Sequence, residues 1–157
     1  MSINMADISG KEDVLRIAYA RGVIKLKPET VQKIRDKTLS KGDVLTTAQI
    51  AGILAAKKTP EIIPLCHPIP ITKVDIELTV GHSEVTVESA VQSFSKTGVE
   101  MEALVATSAA LLTVWDMVKQ YEKDQEGQYP DTIIKEIKVV KKIKSSTKDQ
   151  SGKESET

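Results

Sequence analysis

The chain has 157 residues, and its 22 lysines and arginines balance its 22 aspartates and glutamates. A net charge of zero argues against a protein that binds nucleic acid through bulk positive charge, and an aromatic content of 3% argues against a base-stacking surface. The single cysteine, Cys66, excludes an internal disulfide and indicates a reducing compartment. The sequence contains neither an apolar leader nor an uninterrupted apolar run long enough to span a membrane, so we expect a cytoplasmic protein.

The length predicts one domain, which we place at residues 1–144. Residues 145–157 are polar and charged and contain no large apolar side chain. Such a composition cannot form a core, so it predicts a flexible C-terminal tail.

The first half of the chain predicts a strand followed by two helices. Apolar residues alternate with others over residues 15–26, which is typical of a strand. Pro28 suits the first turn of a helix, and Asp43 suits the cap of a second, mostly apolar helix over residues 44–57. Prolines over residues 62–71 then predict a stiff, extended loop.

The second half predicts a hairpin, a long helix and a last strand. Residues 73–80 and 85–91 alternate on either side of Gly81, which indicates a β-hairpin. Residues 100–120 form a helical segment that is apolar around most of its circumference, so it should be buried on several sides. Residues 133–143 predict the final strand.

This order of elements predicts the fold class. Strand, helix pair, strand, strand, helix, strand is the β-α-β-β-α-β arrangement of the ferredoxin-like fold, an α+β fold with one antiparallel sheet and helices on one face. Two of the helices are too apolar for a single sheet face to cover. We therefore expect the chain to assemble as an oligomer.

Asp116 and Lys119 are a candidate reactive pair near the end of the long helix. Residues three apart lie on one helical face. Their apolar surroundings argue against a plain surface ion pair, because an unpaired charge there would be costly. Burial would also lower the pKa of the lysine towards neutrality. The residues alone leave an acid–base pair and a surface ion pair both open.

Two loops contain further candidates. His67, beside Cys66 in the proline-rich loop, could carry a proton or could simply bond to the backbone, and spacing alone favours the second interpretation. Lys41-Gly42 before a helix could hold a phosphate. An ordinary capped loop explains the same pattern, and we favour it on these residues alone.

Charged residues also lie at the start of the long helix and near the C-terminus. Glu100 and Glu102, which flank Met101, would stabilise a helix start whatever their further role, so residue type alone favours a structural role. The last strand and the tail are basic, which is typical of a solvated sheet edge but could also supply phosphate-binding charge. The lysines concerned are Lys135, Lys138, Lys141, Lys142, Lys144 and Lys148.

Taken together, these motifs resemble the MoaC family, the cyclic pyranopterin monophosphate synthases of molybdenum cofactor biosynthesis. The resemblance runs from about Asp7 to Lys148. Its most specific parts are Cys66-His67-Pro68 and the stretch Thr97-Gly98-Val99-Glu100-Met101-Glu102. The other matching segments are residues 41–44, residues 51–53 and Asp116-Met117 with Lys119. The chain departs from the family pattern at Ser95, where glycine is common, and at residues 145–147, which replace a glycine-rich stretch.

The resemblance implies a fold, an assembly and a reaction. The fold is the one predicted above, and the assembly is a hexamer built as a trimer of dimers, with sites at the dimer interface. The reaction is that of a lyase, which converts a cyclised dihydro-GTP into cyclic pyranopterin monophosphate and releases diphosphate. No cofactor is required, although Mg²⁺ could accompany the triphosphate, and neither nucleic acid nor a membrane is a partner.

The resemblance also implies residue roles. Lys41, Lys119 and Asp116 are catalytic, with Asp116 paired with Lys119. The remaining residues bind substrate, and some reach across from a neighbouring subunit. Those at the base and sugar are His67, Glu100, Met101 and Glu102, and those at the phosphates are Arg16, Lys144 and Lys148. Cys66 also binds substrate. A ligand-sensing module of the same fold is the competing class, because fold alone does not decide function.

Overall fold

A computed structural model describes residues 1–146. Its elements are β1 (Val14–Lys25), α1 (Pro28–Asp36), α2 (Val44–Lys57), α3 (Thr59–Ile62), β2 (Ile71–Val80), β3 (Glu84–Ser95), α4 (Glu100–Glu122) and β4 (Ile133–Ser145). The predicted α+β class is confirmed. The short helix α3 was not predicted. The predicted tail, apart from Ser145 and Ser146, lies outside the described residues.

The four strands form one antiparallel sheet in the order β2-β3-β1-β4. Burial alternates along β3, where Val85, Val87 and Val91 are fully buried and Glu88 is exposed. This period of two means that one face of β3 lies against the core and the other faces outward. Helices α2 and α4 contact the core side of the sheet, so they cover that face.

Helix α4 is the central helix of the core. Its fully buried residues include Ala103, Ala106, Ala110, Leu111 and Val114, spaced by three and four as on one helical face. By length and a mean hydropathy of 1.4, α4 alone among the described helices could cross a membrane, but half of that window is buried inside this fold. Burial of that extent is typical of the core helix of a globular protein.

The outward side of the two long helices remains apolar. Ile50 and Leu54 on α2 are 53% and 51% exposed, and Met101 and Leu112 on α4 are 38% and 61% exposed. Residues four apart (Ile50 and Leu54) and eleven apart (Met101 and Leu112) lie on one face of a helix, so each helix has an apolar stripe on its outer face. A single chain leaves these stripes uncovered.

The lysine-rich strand β4 lies at one edge of the sheet, paired with β1. This position agrees with the expected solvated edge, since charged side chains discourage further strand pairing. The register places Lys144 opposite Arg16 and Lys142 opposite Ala18. The two lysines therefore lie on the same side of β4, near the start of α4.

Candidate functional site

Two lysines and one aspartate form a cluster at the C-terminal end of α4. The Nζ of Lys41 donates to the Oδ2 of Asp116 at 3.1 Å and to the main-chain oxygen of Asp116 at 3.0 Å. The Nζ of Lys119 lies 2.9 Å from the Oδ1 of Asp116. One carboxylate is thus shared by two ammonium groups, and we call these three residues the lysine cluster.

The lysine cluster is exposed, and its electrostatics differ from the sequence-based expectation. The side chains of Lys41, Asp116 and Lys119 are 40%, 59% and 42% exposed. Hydrogen bonds from Lys119 and Lys41 lower the pKa of Asp116, and the bond to Asp116 raises the pKa of Lys119. The predictions that Asp116 and Lys119 have apolar surroundings and that the pKa of Lys119 is lowered are therefore wrong for the single chain. At neutral pH the cluster has a net positive charge, which favours an anionic ligand.

The loop that contains Lys41 is fixed on both sides by the sequence around it. Leu39 is 6% exposed, so it anchors the loop in the core. Asp43 caps α2, because its Oδ1 accepts from the main-chain nitrogens of Leu45 at 3.1 Å and Thr46 at 3.2 Å. Gly42 between them has φ +102°, a conformation that other residues rarely adopt. The predicted capped loop is confirmed, and it also delivers Lys41 to Asp116.

A buried carboxyl–thiol pair lies at the other end of α4. Glu102 is 1% exposed, and the thiol of Cys66 donates to its Oε1 at 3.7 Å. Within residues 1–146, the Oε2 of Glu102 has no hydrogen-bond partner. Burial raises the pKa of Glu102, and burial together with the Glu102 charge raises the pKa of the Cys66 thiol. Burial thus favours the protonated form of each group more than water does.

His67 lies next to this pair and is tied to the N-terminal segment. Its Nε2 is 2.8 Å from the main-chain oxygen of Ala6, and the ring is half-buried. The interpretation of a backbone-bonded histidine is thus confirmed. The contact with Ala6 was not predicted, because an alanine in a polar leading segment carries no sequence signal.

A third group of charges lines a small cleft beside the start of α4. Arg16 donates from Nε to the main-chain oxygen of Ser95 at 3.0 Å and from Nη2 to that of Lys96 at 3.2 Å. Lys142 lies 3.0 Å from the Oε1 of Glu100. The cleft has a volume of about 140 Å³ and is lined by Arg16, Ile17, Gly98, Val99, Glu100, Lys142, Ile143 and Lys144. Its three cationic side chains could hold phosphate oxygens.

Glu100 stays ionised in this cleft although it is partly buried. Burial acts to raise its pKa, but hydrogen bonds from its own backbone amide and from Lys142, with the charges of Lys142 and Arg16, hold the pKa below its ordinary value. The pKa values of Glu100 and Glu102 are therefore shifted in opposite directions. Lys142 was predicted only as part of a basic strand. The sequence did contain a signal for it, because residues two apart on a strand lie on the same side, and Lys142 is two residues from Lys144.

The predicted site residues thus fall into two groups at opposite ends of α4. The rise of about 1.5 Å per residue puts Asp116 about 20 Å along the helix axis from Glu102. Met101 lies on the outward side of the first turn of α4. Lys148 lies outside the described residues. One chain therefore assembles each half of the predicted site but does not join the halves.

Ser95, at the position where the resemblance led us to expect glycine, is the last residue of β3. It is 3% exposed, and its hydroxyl donates to the main-chain oxygen of Thr97 at 3.0 Å. Within the described part of the chain, no three His, Cys, Asp or Glu side chains are grouped so as to hold a metal ion.

Fold and geometry together define the class: an α+β protein whose cations and proton carriers suit a small anionic ligand. The chain belongs to the MoaC family, which matches residues 5–145. Three relatives each carry the name "Probable cyclic pyranopterin monophosphate synthase". That of Sulfurisphaera tokodaii is 60% identical over 90% of this chain and 93% of its own length. That of Sulfolobus acidocaldarius is 59% identical over 90% and 99%, and that of Pyrococcus furiosus is 58% identical over 90% and 91%.

Proposed function

We propose that this chain is a cyclic pyranopterin monophosphate synthase, a lyase of molybdenum cofactor biosynthesis. It converts a cyclised dihydro-GTP into cyclic pyranopterin monophosphate and diphosphate. The observation that supports this most strongly is the 60% identity to a relative of that name over nearly the full length of both chains. The charged and proton-carrying residues at the two ends of α4 supply the cations, proton donors and proton acceptors that this reaction requires.

Closing the cyclic phosphate needs cations at the phosphates. A substrate oxygen bonds to the α-phosphorus while the bond to the β-phosphate oxygen breaks, so negative charge grows on the departing diphosphate. Fixed cations lower the free energy of such a charge-separated state. Lys41 and Lys119 in the lysine cluster, with Arg16 and Lys144 in the cleft, serve this purpose. We assign Lys142, already paired with Glu100 at 3.0 Å, to the same cleft.

Opening and rebuilding the ring system needs proton donors and acceptors. Burial raises the pKa of Glu102, which moves it towards the range in which a carboxyl group acts as a general acid, so we assign Glu102 to protonate a ring nitrogen. Cys66 and His67 lie beside it and complete the pocket for the base and sugar, with Met101 at its rim. Glu100 remains ionised and can accept hydrogen bonds from the substrate.

Two chains would join the halves of the site. An antiparallel pairing of α4 with a second copy would cover the apolar stripe that contains Met101 and Leu112. If Met101 of one chain lies opposite Leu112 of the other, helical periodicity places Asp116 of the second copy near Thr97 of the first. The lysine cluster of one chain would then face the cleft and the Glu102 pocket of its neighbour.

The remaining features of the proposal follow the family. The sheet order β2-β3-β1-β4 supports assignment to the ferredoxin-like fold. We propose a hexamer built as a trimer of dimers, located in the cytoplasm, with no required cofactor and with any Mg²⁺ arriving on the triphosphate. Residues 1–144 form the single catalytic domain, and Lys148 in the following tail would add to the phosphate-binding charge.

The test is diphosphate release from the cyclised dihydro-GTP by the purified protein. We expect the wild type to release diphosphate and Lys41→Ala and Lys119→Ala to lose turnover by about 10²-fold or more, since both lysines act on charge that develops in the transition state. The variants should assemble normally, because their side chains are exposed. Lys11→Ala, in the N-terminal segment, is the matched control and should be unchanged.

Two outcomes would contradict the proposal. Full activity in either lysine variant would overturn the residue assignment. A correctly assembled wild type that binds the substrate without releasing diphosphate would overturn the catalytic function and leave ligand sensing as the better explanation.

A further inference from the structure

We propose that Tyr121 and Gln120 are positioning residues for Lys41, which they hold in place by fastening its loop to the end of α4. This inference rests on the proposed function, in which Lys41 is catalytic. Neither residue belongs to the motifs by which the chain resembles its family.

The contacts lie one residue before Lys41. The main-chain nitrogen of Ser40 donates to the phenol oxygen of Tyr121 at 2.9 Å. The Nε2 of Gln120 donates to the hydroxyl of Ser40 at 2.8 Å. Since Gln120 follows Asp116 by four positions, it lies one turn along the same helical face. Ser40 and Lys41 are thus attached to successive turns of α4.

The lysine cluster needs such a support because its own ion pair is exposed. Exposed pairs between flexible side chains contribute little stability, so Asp116 alone cannot hold the loop. Leu39 and Asp43 fix the ends of the loop, but the backbone between them forms no helix or strand. The two bonds to Ser40 restrict this part of the backbone, and the position of Lys41 follows from it.

The tyrosine is itself held in a suitable position for this role. The Nζ of Lys33 on α1 lies 5.2 Å from the centroid of the Tyr121 ring, within the range of a cation–π contact. A phenylalanine at this position would keep the ring and that contact. It would lose the oxygen that accepts from Ser40, so Tyr121→Phe separates the hydrogen bond from the packing.

The kinetic test compares Tyr121→Phe, Gln120→Ala and the double variant with the wild type. We expect kcat to fall about 3- to 10-fold in each single variant and about 10- to 100-fold in the double variant, because small misplacement of a catalytic group is costly. KM and Tm should change little. Tyr19→Phe, at a half-buried tyrosine on β1, is the matched control and should keep its activity.

Two further readouts separate positioning from a general structural role. Gln120→Ala should have no additional effect on kcat in a Ser40→Ala background, because the two changes remove the same bond. Hydrogen–deuterium exchange of the peptide covering residues 38–43 should be faster in Tyr121→Phe, since the Ser40 amide loses its acceptor. That measurement needs no substrate.

The outcomes are distinguishable. An active wild type whose Tyr121 and Gln120 variants match it in both kcat and exchange would overturn this inference alone. A wild type without turnover would overturn the proposed function, and with it the inference that Tyr121 and Gln120 position a catalytic lysine. Faster hydrogen–deuterium exchange in the variants would then show only that the two residues stabilise the loop.

Discussion

Glu102 has the least favourable electrostatic environment of the predicted site residues. It is 1% exposed, and within the described range 1–146 its Oε2 lacks a hydrogen-bond partner. A buried carboxylate in this position is costly when ionised. A carboxyl group whose pKa is raised by burial and which lies beside a thiol is a candidate functional group.

This environment predicts how Glu102 affects stability as pH changes. Burial raises its pKa in the folded protein above the ordinary value of 4.5, so the folded state binds the proton more tightly than the unfolded state. The contribution of Glu102 to folding stability is fully present below its ordinary pKa of 4.5. It is lost as the pH rises through the pKa that Glu102 has in the folded protein. Glu102→Gln stays neutral, so its Tm should exceed that of the wild type by about 2–4 °C at about pH 8 and equal it below about pH 4.

Thermal unfolding of both proteins across this pH range is the measurement. Glu126→Gln, at an exposed position in the loop after α4, is the control and should follow the wild-type curve. Parallel curves for Glu102→Gln and the wild type would mean that Glu102 is not buried in the assembled protein.

At the scale of elements, the close approach of α2 to α4 depends on Gly52. A methyl group added there would contact the side chain of Ile76 and would lie 3.0 Å from the main-chain oxygen of Ala106 on α4. Main-chain atoms cannot move aside as a flexible side chain can. This contact fixes how α2 lies against α4 and therefore where the loop before α2 places Lys41.

Gly52→Ala should therefore destabilise the protein, although alanine is the better helix former by about 1 kcal/mol. We expect a net loss of about 1–3 kcal/mol in the free energy of unfolding, because overpacking forces backbone shifts. Urea unfolding measures this change. Gly10→Ala, where an added methyl meets nothing within 4 Å, should lie close to the wild type. A higher stability for Gly52→Ala would show that the two helices have room between them.

The elements were predictable because their signals are local. The apolar periodicity and the aspartate cap gave α2 as Val44–Lys57, and the carboxylates that precede the long apolar segment gave the start of α4 at Glu100, as observed. The environment of Asp116 was not predictable in this way. The apolar helix suggested that Asp116 is buried. Burial depends on which other elements cover each face of the helix, and the local sequence does not contain that information. The contact of Ala6 with His67 is equally non-local.

At the scale of the whole molecule, the candidate site residues of one chain are divided between the two ends of α4. The lysine cluster and the Glu102 pocket lie about 20 Å apart along α4. Groups at this distance cannot both act on one reacting centre of a triphosphate-bearing substrate. The apolar stripe between them is uncovered in a single chain. Both facts have one explanation if two copies meet along α4 and each supplies half of two equivalent sites.

This arrangement predicts that two inactive variants restore activity together. Lys119→Ala removes one half of the site and Glu102→Gln the other, so each homo-oligomer should be inactive. In a mixed dimer related by a two-fold axis, one site carries both changes and the other carries neither. Co-expression at equal levels should therefore recover about a quarter of the wild-type rate of diphosphate release, since half of the dimers are mixed and each has one intact site.

Purification through a different tag on each variant isolates the mixed species, in which recovery should approach about half of the wild-type rate. The matched control is the mixed dimer of wild type with a Lys119→Ala, Glu102→Gln double variant, isolated through the same two tags. Each of its two sites carries one change, so it should be inactive. If every site were built within one chain, each chain of the complementing pair would carry one defect and no mixture would regain activity. That result would overturn the shared site and with it the pairing of two copies along α4.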